Sequence, residues 1–232
     1  MPRPFLIASL ASASSETLPP DGAARVAAAD LVEVRLDALV GDAVTEAPNL
    51  CRRVAGWGKP LLLTPRSPGE GGARAWQAGE REAVLEAVWA QGLATPFLDV
   101  ELVDSPELLG WARRKRPADT ELVASFHAFQ QFPGEARLTE LAARARAAGA
   151  DRFKAAVAVT GETETARLAC WTREQGGASF SATMALGAAG SLSRLMNGMF
   201  GSWACYAHIA EATAPGQLAV AELKPLLDRF YT

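Results

Sequence analysis

The chain has 232 residues, a formal net charge of −3, and 49% hydrophobic and 21% charged residues. This composition is typical of a folded globular protein and excludes a disordered or low-complexity chain. The slightly acidic balance offers no electrostatic basis for binding nucleic acid, so we expect no nucleic-acid partner. No apolar run reaches the length that spans a bilayer, so we expect no membrane segment.

The cysteines and the first residues bear on the compartment. Cys51, Cys170 and Cys205 are odd in number, widely spaced and without a C-x-x-C pair, so neither a disulfide framework nor a zinc site is indicated. A reducing, cytoplasmic compartment is expected. A signal peptide is the open alternative, because a basic residue precedes an apolar run at residues 5–10 and a cluster of small residues.

Strand-like and helix-like segments alternate eight times along the chain. Short apolar or alternating runs predict strands, and the longer amphipathic stretches between them predict helices. The predicted strands are residues 5–10, 31–37, 60–66, 97–102, 121–126, 150–159, 179–185 and 202–208. The predicted helices are residues 15–29, 44–57, 76–91, 106–114, 135–148, 162–174, a helix from about residue 191, and 220–229.

This alternation predicts an α/β fold, with residues 1–232 forming a single (β/α)8 TIM barrel. No change in composition marks a domain boundary. An open doubly wound sheet is the alternative architecture, but no predicted strand is followed by G-x-G-x-x-G or by a P-loop.

Lys154 stands inside the sixth predicted strand, among small and apolar residues. Lysine is seldom buried, and an apolar site disfavours its charged form. A neutral amine in such a site could attack a carbonyl and form a Schiff base. The alternative is a lysine at the rim of the strand whose ammonium reaches solvent.

Charged residues also lie inside the second and fourth predicted strands. Glu33, Arg35 and Asp37 alternate along the second strand, so in an extended chain they share one face. That face is either the barrel lumen or an outer face of salt bridges. Asp99 and Glu101 share a face of the fourth strand, where they serve as ligands or as structural partners of other lumen charges.

Two further segments place titratable groups at strand ends, where barrel enzymes carry their active sites. Arg66 ends the third strand, and Glu70 follows in a glycine-rich loop whose backbone can approach a ligand closely or form a solvated turn. His127 closes the strand before that of Lys154, and neighbouring strands lie about 4.8 Å apart. Imidazole and amine can therefore act on one small molecule, with Glu70 orienting the ring. The alternative is a hydrogen-bonded packing histidine.

The loops after the last two strands predict an anion site. Arg194 opens the helix after the seventh strand, and the final loop supplies Thr213 and Gln217 beside a rigid turn. A guanidinium fork with neutral donors suits a carboxylate, and barrels often bind anions at this place. A surface arginine and an ordinary capped turn are the alternative.

Seven motifs in this order resemble type I 3-dehydroquinate dehydratase over nearly the whole chain. They are E-x-R-x-D at residues 33–37, T-x-R with E-G-G at 64–72, D-x-E-L at 99–102, S-x-H at 125–127, the strand lysine at 154, G-x-x-S-R at 190–194 and A-P-G-Q at 214–217. The resemblance implies a cofactor-free barrel enzyme that converts 3-dehydroquinate to 3-dehydroshikimate in the shikimate pathway, commonly as a homodimer.

The resemblance also implies a role for each residue. Lys154 would form an iminium with the ring ketone, His127 would move protons, and Glu70 would orient His127. The implied substrate contacts are Ser9, Glu33, Arg35, Arg66, Met184, Arg194, Thr213 and Gln217.

Four positions depart from the family pattern. Ala128 stands where an aspartate is common and Pro65 where an aromatic residue is usual, whereas Leu186 replaces a frequent methionine and Thr213 a serine. Two other functions stay open. One is a different Schiff-base lyase or aldolase that acts on a carboxylated carbonyl compound, and the other is a barrel that binds a ligand without turning it over.

Overall fold

The computed structural model describes residues 3–175, 180–214 and 216–231. Within them lie eight strands and eight α-helices, and none of these helices combines the length and the apolarity needed to cross a membrane. The strands are β1 (Phe5–Ala11), β2 (Leu31–Arg35), β3 (Leu61–Thr64), β4 (Phe97–Glu101), β5 (Glu121–Ala128), β6 (Arg152–Ala158), β7 (Ser181–Leu186) and β8 (Ala204–His208). The helices are α1 (Gly22–Val26), α2 (Ala43–Ala55), α3 (Glu80–Trp89), α4 (Pro106–Lys115), α5 (Glu135–Ala147), α6 (Glu162–Glu174), α7 (Ser193–Met196) and α8 (Val220–Phe230).

The strands form one parallel sheet in the order β7-β6-β5-β4-β3-β2-β1-β8. The two ends of this order meet, because the backbone N–H of Trp203, just before β8, donates to the carbonyl of Ser181 in β7 at 3.2 Å. The sheet is thus a nearly closed ring with helices between successive strands. The predicted (β/α)8 fold is confirmed.

Both faces of the sheet are buried, as in other parallel barrels. On β6, Phe153 and Val157 pack outward in the layer shared with the helices, whereas Lys154 and Ala156 line the lumen cavity. The amino-terminal end of the lumen is filled by apolar side chains, including the stacked rings of Phe97 and Trp203, 5.3 Å apart. The opposite end carries the charged residues, so the barrel has an apolar floor beneath a polar cavity.

Some predicted boundaries differ from the structure. The helix predicted at residues 15–29 is reduced to α1, since Pro19 and Pro20 lack the amide donors that a continuous helix requires. The strand predicted at 31–37 ends at Arg35, and Asp37 lies in a 3-10 turn. The prediction that Asp37 shares one strand face with Glu33 and Arg35 is therefore wrong. Ser179, predicted to begin the seventh strand, lies outside the described residues.

Candidate active site

One cavity opens at the carboxyl ends of the strands, the end at which (β/α)8 enzymes carry their active sites. Six strands contribute side chains to its walls, namely β1, β2, β5, β6, β7 and β8. The segments that follow β3, β5, β7 and β8 complete the walls. The structure brings to this cavity all eleven residues named from the sequence: Ser9, Glu33, Arg35, Arg66, Glu70, His127, Lys154, Met184, Arg194, Thr213 and Gln217.

Lys154 projects into this cavity with 5% of its surface exposed. Its Nζ donates to Asp99 Oδ2 at 2.8 Å, lies 3.8 Å from Glu33 Oε1, and sits 4.3 Å from the ring centroid of Tyr206. The expected apolar surrounding was therefore wrong. Apolar neighbours along the strand, such as Phe153, point outward, while Lys154 meets charged side chains from other strands.

Arg66 organises the buried network that holds Asp99. Its Nη1 donates to Glu101 Oε1 at 3.0 Å and to Ser125 Oγ at 2.7 Å, and its Nη2 donates to Asp99 Oδ1 at 3.0 Å. Burial alone would raise the pKa of Asp99, but Arg66 and Lys154 outweigh it and hold that pKa well below its usual value. Asp99 is therefore a carboxylate at neutral pH and compensates both cations.

Glu70 and His127 form a pair at the mouth of the cavity. Glu70 Oε2 lies 2.8 Å from His127 Nδ1 and accepts the His127 backbone N–H at 2.9 Å. We infer the tautomer in which Nδ1–H donates to this oxygen, because the oxygen already acts as an acceptor for the amide. In that tautomer Nε2 keeps its lone pair and can accept a proton.

The loop that carries Glu70 depends on two glycines. Gly71 has a φ of +85°, in the left-handed region that side chains disfavour. A Cβ added to Gly72 would lie 2.3 Å from the carbonyl oxygen of Arg66, so the loop closes on its own backbone there. Only glycine at these positions allows the chain to return toward β5 and present Glu70.

Burial sets the protonation of this pair. It holds the pKa of His127 well below its usual value, and the positive charges of Arg66 and Lys154 act in the same direction. Burial also raises the pKa of Glu70 to about 8. The imidazole is therefore neutral near pH 7, which is the state required of a general base.

Two polar residues of β2 are fixed by neighbours before any ligand binds. Glu33 accepts from Ser9 Oγ at 2.6 Å and from Thr64 Oγ1 at 2.9 Å. Arg35 forms a two-point pair with Asp37, in which both N–O distances are 2.8 Å. Asp37 thus supports Arg35 from the turn after the strand. The side chains of Glu33 and Arg35 are held in place at the cavity wall.

Arg194, Thr213 and Gln217 line the same side of the barrel, at the loops after β7 and β8. Arg194 is 2% exposed, and its Nε donates to the carbonyl of Gly216 at 3.0 Å. Burial lowers the pKa of Arg194 to about 10. Gln217 Oε1 accepts the backbone N–H of Thr213 at 2.7 Å and its hydroxyl at 2.9 Å, which assigns the Gln217 amide group as the remaining donor. Pro215 of this loop lies outside the described residues.

Three cavity residues were not anticipated from the sequence. Ala156 and Tyr206 line the cavity from β6 and β8, and Phe129 lines it from the loop after β5. Period-two alternation from Lys154 could have identified Ala156, and Tyr206 is the one large polar residue within its predicted strand before the terminal histidine. Phe129 lies in a loop, where no periodic signal exists.

The departures from the family pattern fall into two groups. Leu186 and Thr213 line the cavity, where they keep an apolar surface and a hydroxyl, respectively. Ala128 ends β5 and Pro65 is buried, and neither is among the residues that line the cavity. Any influence of Ala128 or Pro65 on a ligand must therefore pass through a neighbouring residue.

Comparison with known proteins identifies the family of the chain. A family model described as type I 3-dehydroquinase matches residues 10–232. The 3-dehydroquinate dehydratase of Aromatoleum aromaticum is 34% identical over 206 residues, covering 86% of this chain and 79% of that protein. That of Methanococcoides burtonii is 30% identical over 230 residues, covering 97% and 94%. The crystal structure of 3-dehydroquinate dehydratase from Geobacillus kaustophilus HTA426 matches with a TM-score of 0.85 at 26% identity, covering 99% of this chain and 92% of that one. The chain therefore belongs to the type I 3-dehydroquinase family.

Proposed function

We propose that the cavity binds 3-dehydroquinate and that Lys154 forms the Schiff base through which the ring loses water. The reaction is that of a hydro-lyase of the shikimate pathway, as the family implies. One observation carries the residue assignment: the buried Lys154 nitrogen shares a cavity with His127, a neutral imidazole held by a carboxyl group. Nucleophile, base and orienting group are thus together in one site.

The first steps take place at Lys154. Its unprotonated amine adds to the ring ketone, and one nitrogen proton moves to the new alkoxide. The resulting hydroxyl takes a second proton from the solvent and leaves as water, so that an iminium remains. The iminium carries one positive charge at the position of the former ammonium, 2.8 Å from Asp99 and 3.8 Å from Glu33. These carboxylates therefore stabilise the intermediate without moving.

The elimination follows at His127. The iminium withdraws electrons from the adjacent ring carbon, so Nε2 of His127 removes a proton from it and an enamine forms. His127 then returns that proton to the departing hydroxyl group, which leaves as water as the enamine electrons restore a conjugated iminium. Hydrolysis of this iminium frees 3-dehydroshikimate and Lys154.

The other cavity residues bind the substrate. Arg194, Thr213 and Gln217 hold its carboxylate, because a guanidinium, a hydroxyl and an amide are the donors that such an anion requires. Glu33, Arg35 and Arg66 bind the ring hydroxyls, whereas Ser9 and Met184 complete the wall. This division explains why cations lie on two sides of the cavity.

A trapping experiment tests the assignment. The wild type and Lys154→Ala are incubated with 3-dehydroquinate and borohydride, and intact masses are recorded beside an ultraviolet assay for the conjugated enone. We expect an adduct and enone from the wild type and neither from Lys154→Ala. Lys59→Ala, which removes a half-buried lysine that does not line the cavity, is the matched control and should behave as the wild type. Absence of adduct and enone in the wild type would favour a different carbonyl substrate or a barrel that only binds ligand.

We further propose that the enzyme is a cytoplasmic homodimer. The family commonly forms homodimers through barrel helices, and the three cysteines of this chain are free, which suits a reducing compartment. Size-exclusion chromatography with light scattering tests the oligomeric state. A single species with twice the chain mass supports the dimer, and a species with the mass of one chain rejects it.

A further inference from the structure

Tyr206 occupies a central position that the steps above leave unused. It is one of two tyrosines in the chain, lies in β8 opposite Ile7 of β1, and is 3% exposed. It lines the cavity, and its ring lies under the Lys154 nitrogen, 4.3 Å from centroid to Nζ. The ring therefore contacts the nucleophile directly.

The hydroxyl of Tyr206 has no hydrogen-bond partner among the described residues, and it exposes less than 1 Å². Buried tyrosine hydroxyls normally find a partner, because an unsatisfied polar group in the interior is destabilising. The other tyrosine follows that rule, since the hydroxyl of Tyr231 donates to the carbonyl of Leu195. Among the residues with such an atom, Tyr206 is the one that lines the cavity, so its hydroxyl is a candidate donor to a ligand.

We propose that the Tyr206 hydroxyl donates a hydrogen bond to the ketone oxygen of the substrate while Lys154 adds to the carbonyl carbon. This inference rests on the proposed function. In that step the nitrogen lone pair forms the carbon–nitrogen bond and the carbonyl π pair moves onto the oxygen. The oxygen then takes a proton from the added nitrogen, so the phenol gives up none. The hydroxyl stabilises the charge that builds on this oxygen.

The surroundings of Tyr206 keep it a donor. Burial, together with the negative charges of Glu33 and Asp99, raises the pKa of its phenol well above the usual value. The phenol therefore retains its proton at neutral pH. Those same carboxylates already accept hydrogen bonds from Ser9, Thr64, Lys154 and the Arg66 network, and none of these bonds comes from Tyr206.

Tyr206→Phe removes only the hydroxyl and keeps the ring under Lys154. We expect kcat/KM for 3-dehydroquinate to fall about 10- to 100-fold, because one hydrogen bond to a developing charge is lost. The rate of borohydride-trappable adduct formation should fall by the same factor. The melting temperature should stay equal or rise slightly, since an unsatisfied buried hydroxyl has been removed. A merely structural role would not slow adduct formation in a protein of unchanged stability.

Tyr231→Phe is the matched control, because it removes a hydrogen-bonded hydroxyl from a residue that does not line the cavity. It should lower the melting temperature and leave kcat/KM unchanged. If Tyr206→Phe retains wild-type kcat/KM, the proposal is wrong. It is also wrong if kcat/KM falls while adduct formation keeps its rate, since the hydroxyl would then contact another oxygen. If the wild type itself forms no adduct, the proposed function fails instead.

Discussion

The substitution Asp99→Asn would test the energetic importance of the buried charge network. Asp99 is fully buried and receives hydrogen bonds from Lys154 at 2.8 Å, from Arg66 at 3.0 Å and from Ser125 at 2.6 Å. Asparagine keeps the size and one acceptor oxygen. However, it removes the negative charge between two buried cations, and its amide group meets one of the donors.

The expected loss of stability follows from the burial of this site. Removing one partner from a buried ion pair typically costs about 3–5 kcal/mol, because the remaining charge is left uncompensated. For a chain of this length, each kcal/mol changes the melting temperature by about 2–4 °C. We therefore expect Asp99→Asn to melt roughly 6–20 °C below the wild type. Thermal unfolding followed by circular dichroism at one scan rate measures this difference.

A matched control separates burial from chemistry. Asp228 also pairs with a lysine, Lys224, but on the surface of α8, where 53% of the aspartate side chain is exposed. Exposed pairs contribute about 0–1 kcal/mol, so Asp228→Asn should change the melting temperature little. If Asp99→Asn melts within the range of this control, the buried network does not stabilise the fold and the reasoning is refuted.

A double-mutant cycle identifies the partner responsible. In the Asp99→Asn background, Lys154→Met removes the cation that was left uncompensated, so its cost should be smaller than in the wild type. A coupling energy of about 1–3 kcal/mol is expected for groups in direct contact. A coupling near zero would assign the destabilisation to Arg66 rather than to Lys154.

Two further predictions concern the loop after β3. Glu70 has a pKa of about 8, so its folded form keeps a proton that the unfolded chain loses, and wild-type stability should fall as pH rises from about 4.5 to 8. Glu70→Gln cannot ionise, so its free energy of unfolding minus that of the wild type should be higher at pH 9 than at pH 5, by on the order of 3 kcal/mol. If this difference is the same at both pH values, the prediction is wrong. Gly72→Ala should lose about 1–3 kcal/mol and most activity, because its Cβ would meet the Arg66 carbonyl oxygen at 2.3 Å. A Cβ added to Gly110 in α4 would meet only Arg114 Nη1, at an ordinary contact distance of 3.6 Å, so Gly110→Ala should be neutral or stabilising. Equal melting temperatures for the two alanine variants would reject the argument.

The fold was predictable from the sequence because each barrel unit has a local signature. Strands such as β6 are short runs of small and branched residues, and the helices between them are longer and amphipathic. Such patterns define elements to within a few residues, as with α6, whose bounds agree with the prediction. They give wrong boundaries where a turn ends the period-two alternation of a strand, as at Asp37, or where prolines interrupt a segment with helix-like composition, as before α1.

Eleven of the residues that line the cavity were also named from the sequence, but their contacts were not predictable. Asp99 and Lys154 are 55 residues apart, and their strands are separated by β5. Their contact depends on the relative register of three strands, which no local pattern encodes. For the same reason, the apolar neighbours of Lys154 suggested an apolar site. The orphan hydroxyl of Tyr206 likewise becomes visible only when the partners of every buried polar atom are known.

The network around Lys154 reconciles two opposing requirements of the proposed chemistry. The amine must be unprotonated to attack, whereas the iminium that follows is a cation, and carboxylates near the nitrogen favour the second state over the first. The oxygens of Asp99 and Glu33 also accept hydrogen bonds from residues other than Lys154. One oxygen of Asp99 serves Arg66 and Ser125, and both oxygens of Glu33 already accept hydroxyls. Lys154 therefore has one close oxygen at 2.8 Å and a second at 3.8 Å. Arg66 therefore shares the negative charge of Asp99 with Lys154, and both carboxylates lie close enough to stabilise the iminium.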